Sequence, residues 1–494
     1  MNALLIYPEC PETFWSFKHA LRFVSKKAAN PPLGLLTVAA LLPKEWNKKV
    51  VDMNVSGLLV DDILKADWVF ISACDIQRKS TEEVILLCKK YHKKIAGGGP
   101  LFTASPEDFP SVDTLILNEG EITIPLFLKD LKKGYVHRIY KTGEYADLTL
   151  SPIPDYSLLD IKKYVTLGIQ FTRGCPFNCE FCNVTAMFGH KVRMKQPEQI
   201  IEELENLFAL GWQGNVFFVD DNFIGNKSFL KRELLPALIQ WMTEHNYPFV
   251  FNTEATINLA DDEELIELMA NAGFDSVFIG IESPSVYSLV ECNKVQNLNR
   301  DLVEDIHKIH RHGLLVTAGF IVGFDSDHTS IFQQQIDFIK KSGIISAMVG
   351  LLNAPKNTKL YERLKSENRL KPDFTGNNTD LRMNFIPKMD YSVLIDGYRK
   401  VVKEIYAAGP YYRRVKSFLK EYKISQKMDN HFSLQTLKTI FRSMYIVGLR
   451  CRGRRYYWGL LIWSLIRRPS SLRQAITFAI YGYHFRKVYN LSYH

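Results

Sequence analysis

Three cysteines, Cys175, Cys179 and Cys182, fall within eight residues of the run Gly174-Cys-Pro-Phe-Asn-Cys-Glu-Phe-Cys-Asn183. A loop that short brings three thiolates to one cuboidal iron–sulfur cluster, and three protein ligands for four irons leave one iron open. An electron-transfer ferredoxin closes that position; a catalyst needs it. Zinc is the alternative metal. Structural zinc takes four ligands and usually a second pair of Cys or His, whereas the only nearby histidine is His190, eight residues on. Phe181, beside the third cysteine, suits a shielded redox centre. The remaining cysteines are scattered, and in a reducing cytosol Cys88, Cys292 and Cys451 read as small buried apolar residues.

A strand must carry that loop, and Val165–Phe171 reads as one. Further strands are expected at Val216–Val219, Phe249–Thr253, Ser276–Ile281, Leu315–Ile321 and Ala347–Leu352. Helical patterns lie between them. Glu198–Leu210 has Ile201, Leu204, Leu207 and Phe208 at helical spacing behind Pro197, and Asp261–Ala272 has acids in its first turn and ends at Gly273. Six such units make a partial (βα)6 barrel, whose chemistry sits at the carboxyl ends of the strands. Those ends carry Val219-Asp220-Asp221-Asn222, Gly280-Ile281-Glu282-Ser283 and Gly319-Phe-Ile321-Val-Gly323. Each alone reads equally as a capping acid or a packed strand; in order at strand ends they read as a site.

The first 130 residues form a second alternation, with strands at Ala3–Tyr7, Lys49–Met53, Asp67–Ser72, Lys94–Gly97 and Thr114–Leu117 and helices at Leu33–Leu42 and Ser80–His92. Short connections between alternating elements predict a doubly wound, Rossmann-like parallel sheet, with ligands at its carboxyl edge. That edge carries Cys10, Cys74, Gly97-Gly98-Gly99-Pro100 and Glu119-Gly120-Glu121. Gly134–Tyr164 reads as a linker. The expected plan is α/β, with domains at 1–145, 146–365 and 366–494, the last helical and basic.

Cys-x3-Cys-x-aromatic-Cys after the first strand of such a barrel resembles the radical SAM superfamily. That resemblance implies a 4Fe–4S cluster on Cys175, Cys179 and Cys182 and S-adenosylmethionine (SAM) on its open iron. It implies that Asp220 and Asp221 meet the SAM amino group, that Glu282 holds the ribose, and that Gly319, Ile321 and Gly323 form the adenine edge. A flavodoxin or ferredoxin would supply the electron. The doubly wound domain ahead of the barrel resembles the cobalamin-binding members, closest to the hopanoid methylase-like group. Pro32, Gly34, Ser72, Gln77, Gly98, Gly99, Glu119 and Gly120 match that pattern and are expected at cobalamin, although the Asp-x-His-x-x-Gly motif that ligates cobalt is absent. The implied reaction is methylation of an unactivated carbon of a hydrophobic, lipid- or isoprenoid-like substrate. The rivals are a methylthiotransferase with a second N-terminal cluster, for which Cys10 and Cys74 are too few ligands, a non-methylating ring-modifying enzyme, and an inactive iron–sulfur electron-transfer or binding protein.

The net charge of +9 is uneven. From Tyr411 onward 17 Lys/Arg face only Glu421 and Asp429, about +15, while the rest of the chain is about −6. Tyr391–Ala408 and Tyr411–Tyr422 read as helices, and Arg450–Val488 interleaves arginines with Trp458, Trp463 and tyrosines. This tail is read either as a cap on the barrel or as an interfacial helix pair touching anionic lipid. No recognised nucleic-acid-binding fold accompanies the charge, so no nucleic acid is expected. With no signal peptide ahead of the first strand and no long apolar run, the chain is expected in the cytoplasm, peripheral at the inner membrane surface if the tail binds lipid.

Overall fold

The structure is a computed structural model that describes residues 1–372, 375–423 and 434–491. Asp429, one of the two tail acids, lies outside them. The first sheet is parallel throughout: β1 (Asn2–Tyr7), β2 (Asn47–Asp52), β3 (Trp68–Ser72), β4 (Lys94–Gly98), β5 (Thr114–Ile116) and β6 (Ile139–Tyr140), in the order 2-1-3-4-5-6. Its strands read as apolar runs because both faces are covered. Leu4, Ile6, Val69 and Ile71 join a cluster of their own with Cys88 and Phe102, whereas Ala3, Leu5 and Phe70 belong to the cluster that continues into the barrel. The period of two therefore divides one strand between two cores.

The segment read as a linker is not slack. It contributes β6, and its tyrosines join the two sheets: the Tyr164 hydroxyl donates to Asp52 (2.9 Å), and the buried Tyr156 hydroxyl accepts from Gly168 N (3.0 Å) and donates to the Gly168 carbonyl. Its 3₁₀ turns and two-residue strand are too short to show a period.

The barrel strands are β7 (Thr166–Ile169), β10 (Gly214–Phe218), β11 (Phe249–Ala255), β12 (Phe274–Glu282), β13 (Leu315–Val322) and β14 (Ala347–Leu351), all parallel and paired in that order. Between β7 and β10 a small hairpin joins β8 (Thr172–Arg173) to β9 (Arg193–Met194). Helix Pro197–Ala209 buries Leu204 and Leu207 as expected, adds Ile200 and Glu203, and leaves Ile201 and Phe208 half-buried against the core.

The C-terminal part is helical, with Tyr391–Tyr406, Ala408–Glu421, Leu434–Ser443 continuing to Arg450, Arg454–Arg467 and Leu472–Val488. The last helix lies under the barrel's amino end. Phe485 stacks on Phe14 (4.3 Å between centroids), and His484 Nε2 meets the Phe14 carbonyl (2.9 Å). Above it a cavity of about 470 Å³ fills the barrel's lower half, lined by inward side chains such as Asn252, Glu254 and Phe278 and closed by Trp15, Ile480 and Tyr481. No helix among the described residues is long and apolar enough to cross a membrane.

Candidate functional site

The cysteine loop is held from both sides. Gly174 has φ +93°, and a Cβ there would lie 2.6 Å from the Lys191 carbonyl oxygen, so only glycine fits. Asp220, fully buried, accepts from Phe171 N (3.1 Å) and from the amide and hydroxyl of Thr172, tying the end of β10 to the start of the loop. On the far side Glu180 N donates to the Cys292 carbonyl (2.9 Å), Asn293 Nδ2 donates to the Asn178 carbonyl (2.9 Å), and Arg363 grips both Glu180 oxygens (2.6 and 3.1 Å). Gln296 Nε2 points at Cys179 Sγ (3.8 Å).

Cys179 is buried and Cys175 and Cys182 are half-buried. Burial pushes the Cys182 thiol up to about 12 and Cys175 upward as well. Loading a metal here must therefore displace protons. Among the described residues no three His, Cys, Asp or Glu side chains converge on a point that could hold a single ion. A cuboidal cluster would spread the three thiolates over separate irons.

At the end of β12 the register shifts between Gly280 and Glu282, and Glu282 takes φ +63°, a backbone strained for a side-chain-bearing residue. Its carboxylate, buried, meets buried Lys294 (Nζ to Oε1 2.8 Å). A side chain at Gly280 would collide with both groups. Burial opposes the Lys294 charge, yet Glu282, and then Cys179 and Cys182 once ionised, hold its ammonium well above the usual range. Lys294 and Gln296 have no counterpart in the sequence reading. They come from a polar turn with no motif, brought to the cluster loop only by the fold.

Of the expected adenine edge, Ile321 lines a cavity of about 180 Å³ with Phe181 and Met348. Gly319 and Gly323 do not line it. A Cβ at Gly319 would lie 3.0 Å from the Phe278 ring, and Gly323, at φ +104°, packs under Met383 and Leu394. Asp221 is half-buried, and burial pushes its carboxyl up to about 6. Glu254, also missed by sequence, is pushed up to about 8 by burial and then by Asp221 and Asp220. Three carboxyls therefore gather near the ends of β10 and β11, with Asp220 committed to Phe171 and Thr172.

A cavity of about 280 Å³ joins the carboxyl edge of β3–β5 to the start of the cysteine loop. Gly34, Ser72, Gly98, Gly99, Glu119 and Gly120 all line it, opposite Gln170, Arg173 and Phe188. Pro32 and Gln77 do not. Pro32 precedes helix Leu33–Leu41, and buried Gln77 accepts from Cys74 N (2.9 Å) while donating to the Pro8 carbonyl. A Cβ at Gly34 would meet nothing within 4 Å, so the cavity begins there. At Gly98 and Gly99 it would instead meet Ile116 O (2.9 Å) and Ser72 Oγ (2.8 Å), so these glycines let the strand ends pack. Glu119 is already engaged. It accepts from Arg193 (2.6 and 2.8 Å), Arg173 (3.4 Å) and Ala146 N (2.9 Å), fastening the first sheet to the barrel hairpin.

A family model described as the radical SAM superfamily matches residues 169–350, and one described as a domain of unknown function (DUF4070) matches 358–493. The uncharacterized methyltransferase sll1242 of Synechocystis sp. is 40% identical over 98% of this chain and 91% of its own length. The hopanoid C-2 methylase of Rhodopseudomonas palustris is 35% identical over 79% of this chain and 74% of its own. The chain belongs to the radical SAM methyltransferase family and is an enzyme. Its family implies a 4Fe–4S cluster, SAM and a source of electrons. Among solved structures, the methyltransferase TsrM of Kitasatospora setae, with cobalamin and a 4Fe–4S cluster bound, aligns over 98% of this chain and 99% of its own (TM-score 0.64, 13% identity). The cobalamin-dependent radical enzyme OxsB aligns over 99% and 80% (TM-score 0.63, 16% identity). At these identities the likeness is one of fold.

Proposed function

We propose that this enzyme uses cobalamin and SAM to methylate an unactivated carbon of a hydrophobic, isoprenoid-like or polycyclic substrate. The carrying observation is the 280 Å³ cavity, which runs from Gly34 and the β3–β5 edge to residues flanking the three-cysteine loop. A corrin seated there would lie beside the cluster site. When bound, the cluster would supply the electron for cleaving SAM, and cobalamin would carry the methyl group. Cys175, Cys179 and Cys182 hold the cluster, and Phe181, backed by Phe324 (6.4 Å between ring centroids), shields it from water. Glu282, fixed by Lys294, is placed to accept from ribose hydroxyls. Asp221 supplies negative charge for the cationic SAM, and Asp220 positions the loop. Ile321 and Phe181 offer an apolar slot for the adenine. The electron comes from a flavodoxin or ferredoxin.

The hydrophobic substrate class rests on the similarity to hopanoid C-2 methylase. Such a substrate resides in a bilayer, so peripheral membrane contact belongs to the same reading. The test is anaerobic turnover of reconstituted enzyme with cobalamin, methyl-labelled SAM and lipid extracts, read by mass spectrometry. A labelled lipid is expected; SAM cleavage with no methylated lipid under any extract would overturn the substrate class. The methylthiotransferase reading gains nothing, because Cys88 is buried in the sheet's helix-covered core, away from Cys10 and Cys74 at the strand ends.

A further inference from the structure

We propose that the outward face of helices 434–450 and 454–467 is a docking surface for an anionic lipid bilayer, with a lipid phosphate seated in the basic cleft beside it. The proposal takes its purpose from the hydrophobic-substrate reading and its location from the packing of these helices.

Along 434–450, Ser443 and Val447 turn inward, while Leu437, Phe441, Tyr445 and Leu449, four residues apart, all point to solvent, Phe441 with 68% of its surface exposed. Four apolar side chains at that spacing make one continuous stripe. Helix 454–467 is its neighbour: Trp458 Nε1 donates to the Gly448 carbonyl (2.9 Å), and the Ser443 and Tyr457 hydroxyls bond (2.7 Å). It buries Tyr457, Leu460, Leu461 and Ser464 and exposes Ile462, Leu465 and Ile466, the last at 73%. Exposed apolar side chains concentrated on two neighbouring helices mark an interaction site.

The cleft adjoins the stripe. It measures about 660 Å³ and is lined by six cations, Arg22, Lys403, Arg450, Arg452, Arg486 and Lys487, with no Asp or Glu among its described lining residues. Three further helices supply Arg22, Lys403, Arg486 and Lys487, so only the tertiary fold makes this concentration. Arg450 joins the two features, its guanidinium lying 4.6 Å from the Tyr445 ring centroid. Cations beside an apolar stripe match the phosphate and acyl layers of an anionic leaflet. A free phosphate would account for the cleft but not the stripe. A second copy would cover the stripe but bring two positive surfaces together. Nucleic acid would leave the aliphatic Leu449, Leu465 and Ile466 without a role.

The anchors differ from those expected of the sequence. Trp458 is bonded inward, Trp463 is half-buried against the core, and Arg468 caps the carbonyls of Leu419 and Tyr422. Arg454, Arg455 and Arg467 make no ion pair among the described residues, so these three are not neutralised by the acidic body as a pure cap requires.

The experiment is flotation of the reconstituted full-length enzyme with phosphatidylcholine vesicles, with and without phosphatidylglycerol, at low and high salt. Two variants accompany it: Phe441→Ser/Leu449→Ser/Ile466→Ser, and Arg22→Gln/Lys403→Gln/Arg450→Gln. Cluster absorbance and SAM cleavage confirm that each is folded. The wild type should float with anionic vesicles and be released by salt. The cation variant should bind on the order of a hundredfold more weakly, and the stripe variant should not float. Absence of wild-type flotation at low salt, or flotation unchanged in both variants, overturns the proposal. So does self-association that the stripe variant abolishes, which makes the face a contact between copies. Phosphate binding without vesicle binding overturns it too, leaving a free-anion site. Methylation of detergent-dispersed lipid separates the two readings: a stripe variant that methylates but does not float supports both, and floating without any methylated product sinks only the substrate class.

Discussion

Lys294 and Glu282 form a buried ion pair at the carboxyl end of β12, Nζ 2.8 Å from Oε1, on a residue whose φ is +63°. The pair sets the direction of the carboxylate proposed to hold the ribose. Lys294→Ala leaves that carboxylate buried without a partner and should cost about 3–5 kcal/mol, read by urea denaturation. Lys294→Met with Glu282→Leu removes both charges and should recover most of the stability, without restoring SAM binding. A double variant that binds SAM normally would show that the ribose is held elsewhere.

Cys179→Ala should take iron from about four per chain to none and abolish SAM cleavage. Gln296→Leu separates the cluster's surroundings from its ligands. It removes the N–H aimed at Cys179 Sγ, so iron should stay while the cluster potential falls, because a hydrogen bond to sulfur favours the reduced form. Redox titration by electron paramagnetic resonance decides, and an unchanged potential refutes the contact.

Gly34 is the position at which to fill the cavity proposed for cobalamin. Gly34→Ala has free space for its methyl and should stabilise the helix by about 0.5–1 kcal/mol. Gly34→Phe should remove bound cobalamin, followed by its visible absorbance, and leave the cluster intact. The same change at Gly98 would unfold the strand edge first and test nothing about the ligand.

Acid should loosen the joint between the first sheet and the barrel. Burial works against the Glu121 charge, but hydrogen bonds and charge from Arg173 (2.7 and 3.0 Å) hold its carboxyl down at about 2. A folded pKa below the unfolded one gives stability that is present above pH ~4.5 and lost as pH falls toward 2, on the order of 3 kcal/mol in full. Urea denaturation from pH 7 to 3 should show that slope, and Arg173→Met should flatten it. Equal slopes in both proteins would assign the acid sensitivity to other groups.

Local chemistry alone determined much of this protein. Cysteine spacing, strands that alternate or run apolar, and acids or glycines at strand ends are short-range signals. The two parallel sheets follow from them, though not the order of the first sheet or its sixth strand, as does the gathering of Gly34, Ser72 and the Gly98-Gly99 pair on one cavity. Tertiary structure decided which of those residues are free to act. Asp220, Glu119 and Gln77 have the right types at the right strand ends, but packing spends their hydrogen bonds on Thr172, Arg193 and Pro8. Lys294, Glu254 and the six cations of the C-terminal cleft come from elements far apart in sequence, so no local pattern announces them. The tail's composition is basic and aromatic throughout. Only the packing of its helices turns Trp458 inward and Phe441 and Ile466 outward, because burial of one helix face determines, by the 3.6-residue period, which side chains remain for water or lipid.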